Sequence, residues 1–173
     1  YDRVVTRDAK TKPGLGKSHL IGSKLMFELP SEVLGKDILV VPRLAKAPAG
    51  DGGAGPYGGQ QVNSRRVVRW ERRGDRILLR EISYNAVADP NEPIALAVAS
   101  SNYGPLLGAF NVESYGPDSA AVIDVTRLFT SPPPELGPGT ALRGNPDAAR
   151  SFIDRVAGYP INVEVEAILT AAP

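Results

Sequence analysis

Val67-Val68-Arg69-Trp70-Glu71-Arg72-Arg73-Gly74-Asp75-Arg76-Ile77-Leu78-Leu79-Arg80-Glu81-Ile82 is the stretch that decides the fold class. Two runs rich in β-branched and aliphatic residues, 65–72 and 76–84, meet at Arg73-Gly74-Asp75, where glycine supplies the backbone freedom a tight turn demands. Val68 and Trp70 fall on one face of the first run, and Leu78, Ile82 and Tyr84 share a face of the second. This is the clearest β-hairpin signal in the chain, and it predicts an antiparallel sheet.

Upstream, residues 15–21 and 24–29 flank Gly22-Ser23, a second hairpin signal that puts Met26 and Phe27 on opposite faces. Residues 30–35 read as one helical turn, with Ser31 to cap it and Gly35 to stop it. Asp37-Ile38-Leu39-Val40-Val41 is the most continuous apolar run and is expected at the centre of the sheet. Residues 1–13 read as a polar lead-in with a short strand over 3–6. Downstream, Asp89-Pro90-Asn91-Glu92-Pro93 opens a helix over 94–100, followed by strands over 106–115 and 120–125 and a helical turn over 126–130.

A helix is also expected over 147–158. Pro146 and Asp147 suit its start, Ala148, Phe152, Ile153 and Val156 keep helical spacing, and Gly158 with Pro160 stops it. Residues 162–170 alternate as a strand, and no internal repeat is visible. The sum is an α+β chain: a mainly antiparallel sheet of about seven strands with two helices, read as one domain over 1–173. Long Gly/Pro loops interrupt it at about 46–61 and 131–146.

The 173 residues suffice for one sizeable core. Twenty basic against 19 acidic residues leave a net charge of +1, too little to draw nucleic acid or an anionic membrane. The absence of cysteine excludes disulfides, thiolate zinc sites and cysteine nucleophiles. No apolar run approaches the roughly 20 residues of a spanning helix. Opening on Tyr1, without a signal-peptide pattern, the chain reads as a piece of a longer or processed protein.

No candidate chemistry rises above a bland alternative. His19 is the sole histidine; no Gly-x-Ser-x-Gly elbow accompanies it, and beside Lys17 and Ser18 it reads as an ordinary half-exposed strand residue. The Gly50-to-Gly59 loop lacks the Lys-Ser or Lys-Thr of a phosphate cradle and leads into a strand. Asp124, in an apolar run, is a candidate general base, but it or Thr126 also suits the cap of the turn that follows, and Asp89 before Pro90 has the same explanation. The arginines at 65, 66, 69, 72, 73, 76 and 80 interleave with Glu71, Asp75 and Glu81 as a solvated cross-strand ladder. Arg73-Gly74-Asp75 spells an adhesion tripeptide that any hairpin tip could carry. No catalytic residue, metal ligand or cofactor is assigned.

Several segments together are more specific. Phe27-Glu28-Leu29-Pro30 through Leu34-Gly35-Lys36-Asp37-Ile38-Leu39-Val40-Val41-Pro42-Arg43 is one, and Val67-Val68-Arg69-Trp70-Glu71-Arg72 with Ile77-Leu78-Leu79-Arg80 is another. Val122-Ile123-Asp124-Val125-Thr126 with Leu128-Phe129, and Ser151-Phe152-Ile153 with Asn162-Val163-Glu164-Val165, complete the set. In this order, from about Lys12 to Thr170, the chain resembles the N-terminal region of large bacterial zinc-dependent metalloproteases. The resemblance implies a secreted, periplasmic or envelope protein whose downstream domain carries an extended His-Glu-x-x-His zinc motif. With one histidine and no such motif, this chain takes over none of those catalytic residues.

Two roles follow as expectations. In the first, the chain is a non-catalytic accessory domain that packs on or assists the downstream catalytic domain through the loops at 46–61 and 131–146, with an exposed apolar patch near them. In the second, it is a peptide- or glycan-binding module that recruits substrate, with Tyr57, Trp70, Tyr84 and Tyr103 as stacking candidates, at least two of them exposed together. A hydrolase built on Asp124 and His19 would need the two to meet in one cleft.

Overall fold

The computed structural model describes residues 1–46, 58–84, 86 and 88–172. The first strands are β1 (Lys10–Gly14), β2 (Gly16–Ile21), β3 (Lys24–Leu29) and β4 (Ile38–Val40). After them come β5 (Arg66–Arg73), β6 (Arg76–Ile82), helix α1 (Ala95–Ser101), β7 (Leu106–Tyr115) and β8 (Ala121–Asp124). Helix α2 (Thr126–Thr130), β9 (Phe152–Tyr159) and β10 (Asn162–Ile168) close the chain. Eight strands form one antiparallel sheet in the order β1-β2-β3-β8-β7-β6-β5-β4, and β9 and β10 pair as a separate hairpin.

The expected α+β architecture with a mainly antiparallel sheet and two helices is present, but the main sheet has eight strands rather than about seven. One unread strand is β1, an edge strand lying just beyond the strand expected over 3–6, where only turns occur. Lys10, Lys12 and Pro13 give it the charge and missing donor with which an exposed edge resists further pairing. The apolar run at 37–41 lies at the opposite edge instead of the centre. It yields only the three residues of β4, pairs with β5 alone, and stops before Pro42. The central positions belong to β8 and β7.

The helix expected over 147–158 is the strand β9; the second helix is the short α2. Its register explains the misreading: Glu166 faces Arg155 but Ala167 faces Ile153, so Asp154 is the extra residue of a β-bulge. The bulge lets Ile153 and Val156, three residues apart, both face the core, which imitates helical periodicity. Gly158 is not a helix stop. A Cβ there would lie 1.9 Å from the carbonyl oxygen of Pro13, so glycine permits β9 to run against β1.

β7 joins two halves of the sheet. Residues 106–111 pair with β6 and residues 112–115 with β8, with an irregularity in each ladder. On the core face a chain of edge-on and tilted aromatic contacts links Phe129, Phe27, Trp70 and Phe110, with centroids 5.6 to 6.4 Å apart. Leu25, Leu29, Val68, Ile77, Leu79, Ile123 and Val125 fill in around them, and α2 and the β9–β10 hairpin pack on this core through Leu128, Val156, Val163 and Val165.

Candidate functional site

The outer face differs between the two halves. On β2 and β3, strand alternation puts Lys17, His19, Met26 and Glu28 outward, in the register Lys17–Glu28 and His19–Met26. This half is nonetheless sealed. Glu28 is 3% exposed, and His19, expected to be half-exposed, is 1% exposed. The correction arises because the polypeptide before β1 carries Tyr1 over Glu28, and its hydroxyl donates to Glu28 Oε2 at 2.6 Å. Lys17 Nζ donates to Oε1 at 2.7 Å. His19 Nε2 lies 3.0 Å from Oε2 and Nδ1 lies 2.8 Å from the Thr11 hydroxyl. A carboxylate only accepts, so Nε2 carries the proton there, and a neutral ring accepts from Thr11 at Nδ1.

Burial pushes the Glu28 carboxyl up, but the hydrogen bonds from Lys17, Tyr1 and His19 outweigh it and hold it below the ordinary glutamate value. Desolvation and the neighbouring Glu28 push the Tyr1 hydroxyl up to about 12. Every polar atom of the His19–Glu28 pair thus has a partner within the chain, and both side chains are buried. Asp124 does not join it. Met26 stands between His19 and Asp124 in the strand register, a separation of about 10 Å at ordinary strand spacing. Asp124 Oδ1 instead accepts the Thr126 N–H at 2.9 Å, holding the entry to α2.

The β4–β7 half is open. Register places Arg69 opposite Arg80, Glu71 opposite Leu78 and Arg73 opposite Arg76, all on the outer face. Glu71 receives Arg80 Nε through both carboxylate oxygens at 3.0 and 3.1 Å, and Arg80 Nη1 donates to the Gly104 carbonyl at 2.8 Å. Arg80 is only 7% exposed because Tyr103 covers it, with the guanidinium 4.4 Å from the ring centroid. Gly104 makes this possible: a Cβ there would fall 1.7 Å from the Glu81 carbonyl oxygen. The second tyrosine is fixed in a similar way. Tyr84 donates its hydroxyl to Asp37 Oδ2 and accepts from Arg69 Nη2 at 2.9 Å, while Arg69 Nε donates to Asp37 Oδ1. Those bonds from Arg69 and Tyr84 hold the Asp37 carboxyl below the usual aspartate value.

Of the four stacking candidates, Tyr84 and Tyr103 are therefore exposed together, at 54% and 72%, and linked through the cross-strand pair Arg69–Arg80. Trp70 lies in the core, and Tyr57 falls outside the described residues. Sequence reading missed the partners that orient the tyrosines, Asp37, Glu71, Arg69 and Arg80. The turn is the two residues Gly74-Asp75 rather than the expected Arg73-Gly74-Asp75, so Arg73 pairs with Arg76 and Arg69 comes opposite Arg80, while Asp37 and Tyr103 arrive from distant segments.

The connection between β6 and β7 also carries α1, which has no buried residue. Leu96 is 83% exposed, Ile94 and Leu106 are exposed, and Pro93, Leu96, Ala97, Ala99 and Ser100 form one open surface of the helix. Ser100 and Ser101 turn their hydroxyls back onto carbonyls of the same helix, which leaves its surface more apolar. The loop at 131–146 is by contrast tied to its own chain: Pro134 O accepts from Asn63 Nδ2, Glu135 O accepts from Arg66 Nε, and Leu136 packs on the core. Near the open face the large exposed aliphatic residues are Leu39 on β4 and Ile94, Leu96 and Leu106 in and beside the β6–β7 connection. Among the described residues no three His, Cys, Asp or Glu side chains stand together as a metal site, and no helix is long and apolar enough to cross a membrane.

No curated protein and no solved structure matches the chain. Two families match, both described as domains of unknown function: DUF5118 over residues 1–47 and DUF5117 over residues 59–173. Neither description names a protease or any catalytic activity. The two matches do not divide the fold, since β1 to β4 come from the first segment and flank on both sides the four strands that the second adds to the sheet. The larger match covers well over half of the residues, so the chain belongs to the DUF5117 family of domains of unknown function.

Proposed function

We propose that this chain is a non-catalytic accessory domain of a secreted or envelope zinc-dependent metalloprotease-like protein, and that it docks through α1 on the catalytic domain downstream. The observation that carries this reading is α1 itself. A short helix apolar on most sides is marginal in water and gains its stability from being covered. Among the described residues no side chain of α1 is buried, Ala95 and Val98 being half-buried, while Ile94, Leu96 and Leu106 stand exposed around it. The sequence resemblance supports the choice of partner.

The test is to mix the purified chain with the remainder of its parent protein and follow both by size-exclusion chromatography. Co-elution is expected, and Leu96→Asp should abolish it while shifting the stability of the isolated chain by no more than about 0.5 kcal/mol, as for an exposed site. Separate elution of the unaltered fragments contradicts the proposal.

A further inference from the structure

We infer that the outer face of β5 and β6 is a binding surface for an acidic polysaccharide, with Tyr103 and Tyr84 stacking on sugar rings and Arg73 and Arg76 receiving the acid groups. This inference goes beyond docking and does not depend on it.

The charge pattern is the first ground. Arg69 faces Arg80 and Arg73 faces Arg76, two like-charge pairs directly across the hairpin, an arrangement that repels unless anions intervene. Asp37 answers Arg69 and Glu71 answers Arg80. No ion pair among the described residues answers the exposed Arg73 and Arg76, although Asp75 sits in the turn between them. The tip therefore carries uncompensated positive charge and favours an anionic partner.

The tyrosines supply the second ground. Tyr103 rests one ring face on a guanidinium that is itself clamped by Glu71 and by the Gly104 carbonyl, yet most of the side chain meets water. The Tyr84 hydroxyl is held by Asp37 and Arg69. Rings fixed in advance lose little freedom on binding. A pyranose offers a patch of C–H groups to an aromatic face, and its rim hydroxyls suit planar carboxylate and guanidinium groups such as those of Asp37, Glu71 and Arg69. The face is an open sheet surface, which suits an extended chain better than a small enclosed ligand. An acidic peptide would meet the same arginines but would have no particular use for the ring faces, and that difference makes the two separable.

Polygalacturonate is a suitable probe, with dextran as neutral glycan and poly-L-glutamate as acidic peptide, used in native affinity gels with the full chain at low ionic strength. Polygalacturonate should retard the chain and dextran should not. Tyr103→Ala should weaken the retardation roughly three- to tenfold, and Tyr103→Phe, which keeps the ring, should retain it. The double variant Arg73→Ser, Arg76→Ser should abolish retardation without moving the thermal unfolding midpoint, because both side chains are exposed at the hairpin tip. Leu96→Asp should leave retardation unchanged, so loss of docking and loss of glycan binding are told apart. Absence of retardation by polygalacturonate overturns the inference. So does equal retardation by dextran, or retardation by poly-L-glutamate of equal strength with no effect of Tyr103→Ala.

Discussion

Glu28 on β3 and Asp37 just before β4 each accept a tyrosine hydroxyl and a cationic side chain on the same outer face, yet one is sealed and the other meets water. Around Glu28 the partners Tyr1, Lys17 and His19 close off a carboxylate that is 3% exposed; around Asp37 the partners Arg69 and Tyr84 leave 37% of it exposed. Similar chemistry thus does different work. In the sealed half the network fixes the segment before β1 against the sheet, and any broken bond leaves a buried charge. In the open half the exposed Asp37–Arg69 pair is cheap to disturb, and together with the buried Arg80 and its partner Glu71 it orients two exposed rings.

The largest expected effect comes from separating the two family segments. Residues 59–173 alone lack β3 against β8 and β4 against β5, along with the core residues Leu25, Phe27 and Leu29. That fragment should show no cooperative thermal transition, and mixing it with residues 1–47 should restore one. A sharp transition in the fragment alone would mean that the sealed half is an appendage.

Next in size is Glu28→Ala. Removing one side of a buried, hydrogen-bonded charge cluster should cost about 3–5 kcal/mol in denaturant unfolding. The pH dependence has a definite sign. The folded carboxyl of Glu28 lies below its unfolded value, so its stabilisation is present above the ordinary glutamate range of about 4.3 and is lost as pH falls through the folded value. Glu28→Gln should flatten that acid limb. Tyr1 runs the other way: raised from 10.0 to about 12, it stabilises the fold below pH 10 and loses that contribution as pH rises through about 12. The smallest effect is Asp37→Ala, under about 1 kcal/mol for an exposed pair. Its signature should be local, a broadened NMR signal of the Tyr84 ring. A loss as large as that of Glu28→Ala would erase the distinction between the halves.

The contrast also explains what could be read in advance. The Gly22-Ser23 turn determines its hairpin register, and with it the Lys17–Glu28 pairing, from local sequence alone, whereas the second turn, read as Arg73-Gly74-Asp75, is the two residues Gly74-Asp75, and that one-residue difference is what brings Arg69 opposite Arg80. Burial is different in kind. It depends on Tyr1 reaching Glu28 across 27 residues and on Tyr103 folding back over Arg80, neither of which leaves a periodic trace. The β9 strand was hidden for a local reason, since its bulge at Asp154 imposed three-residue apolar spacing on a strand. The run at 37–41 misled because an apolar composition reports a preference for burial, not a place in the strand order.

Coverage of α1 by the proposed downstream domain is tested most directly by amide hydrogen exchange over Ala95–Ser101, comparing the isolated chain with the longer protein proposed to contain it. The amides should exchange rapidly in the isolated chain and be strongly protected in the intact protein, with little change in β2 and β3. Equal exchange in both would mean that α1 faces solvent in the working molecule, and the proposed docking would be wrong.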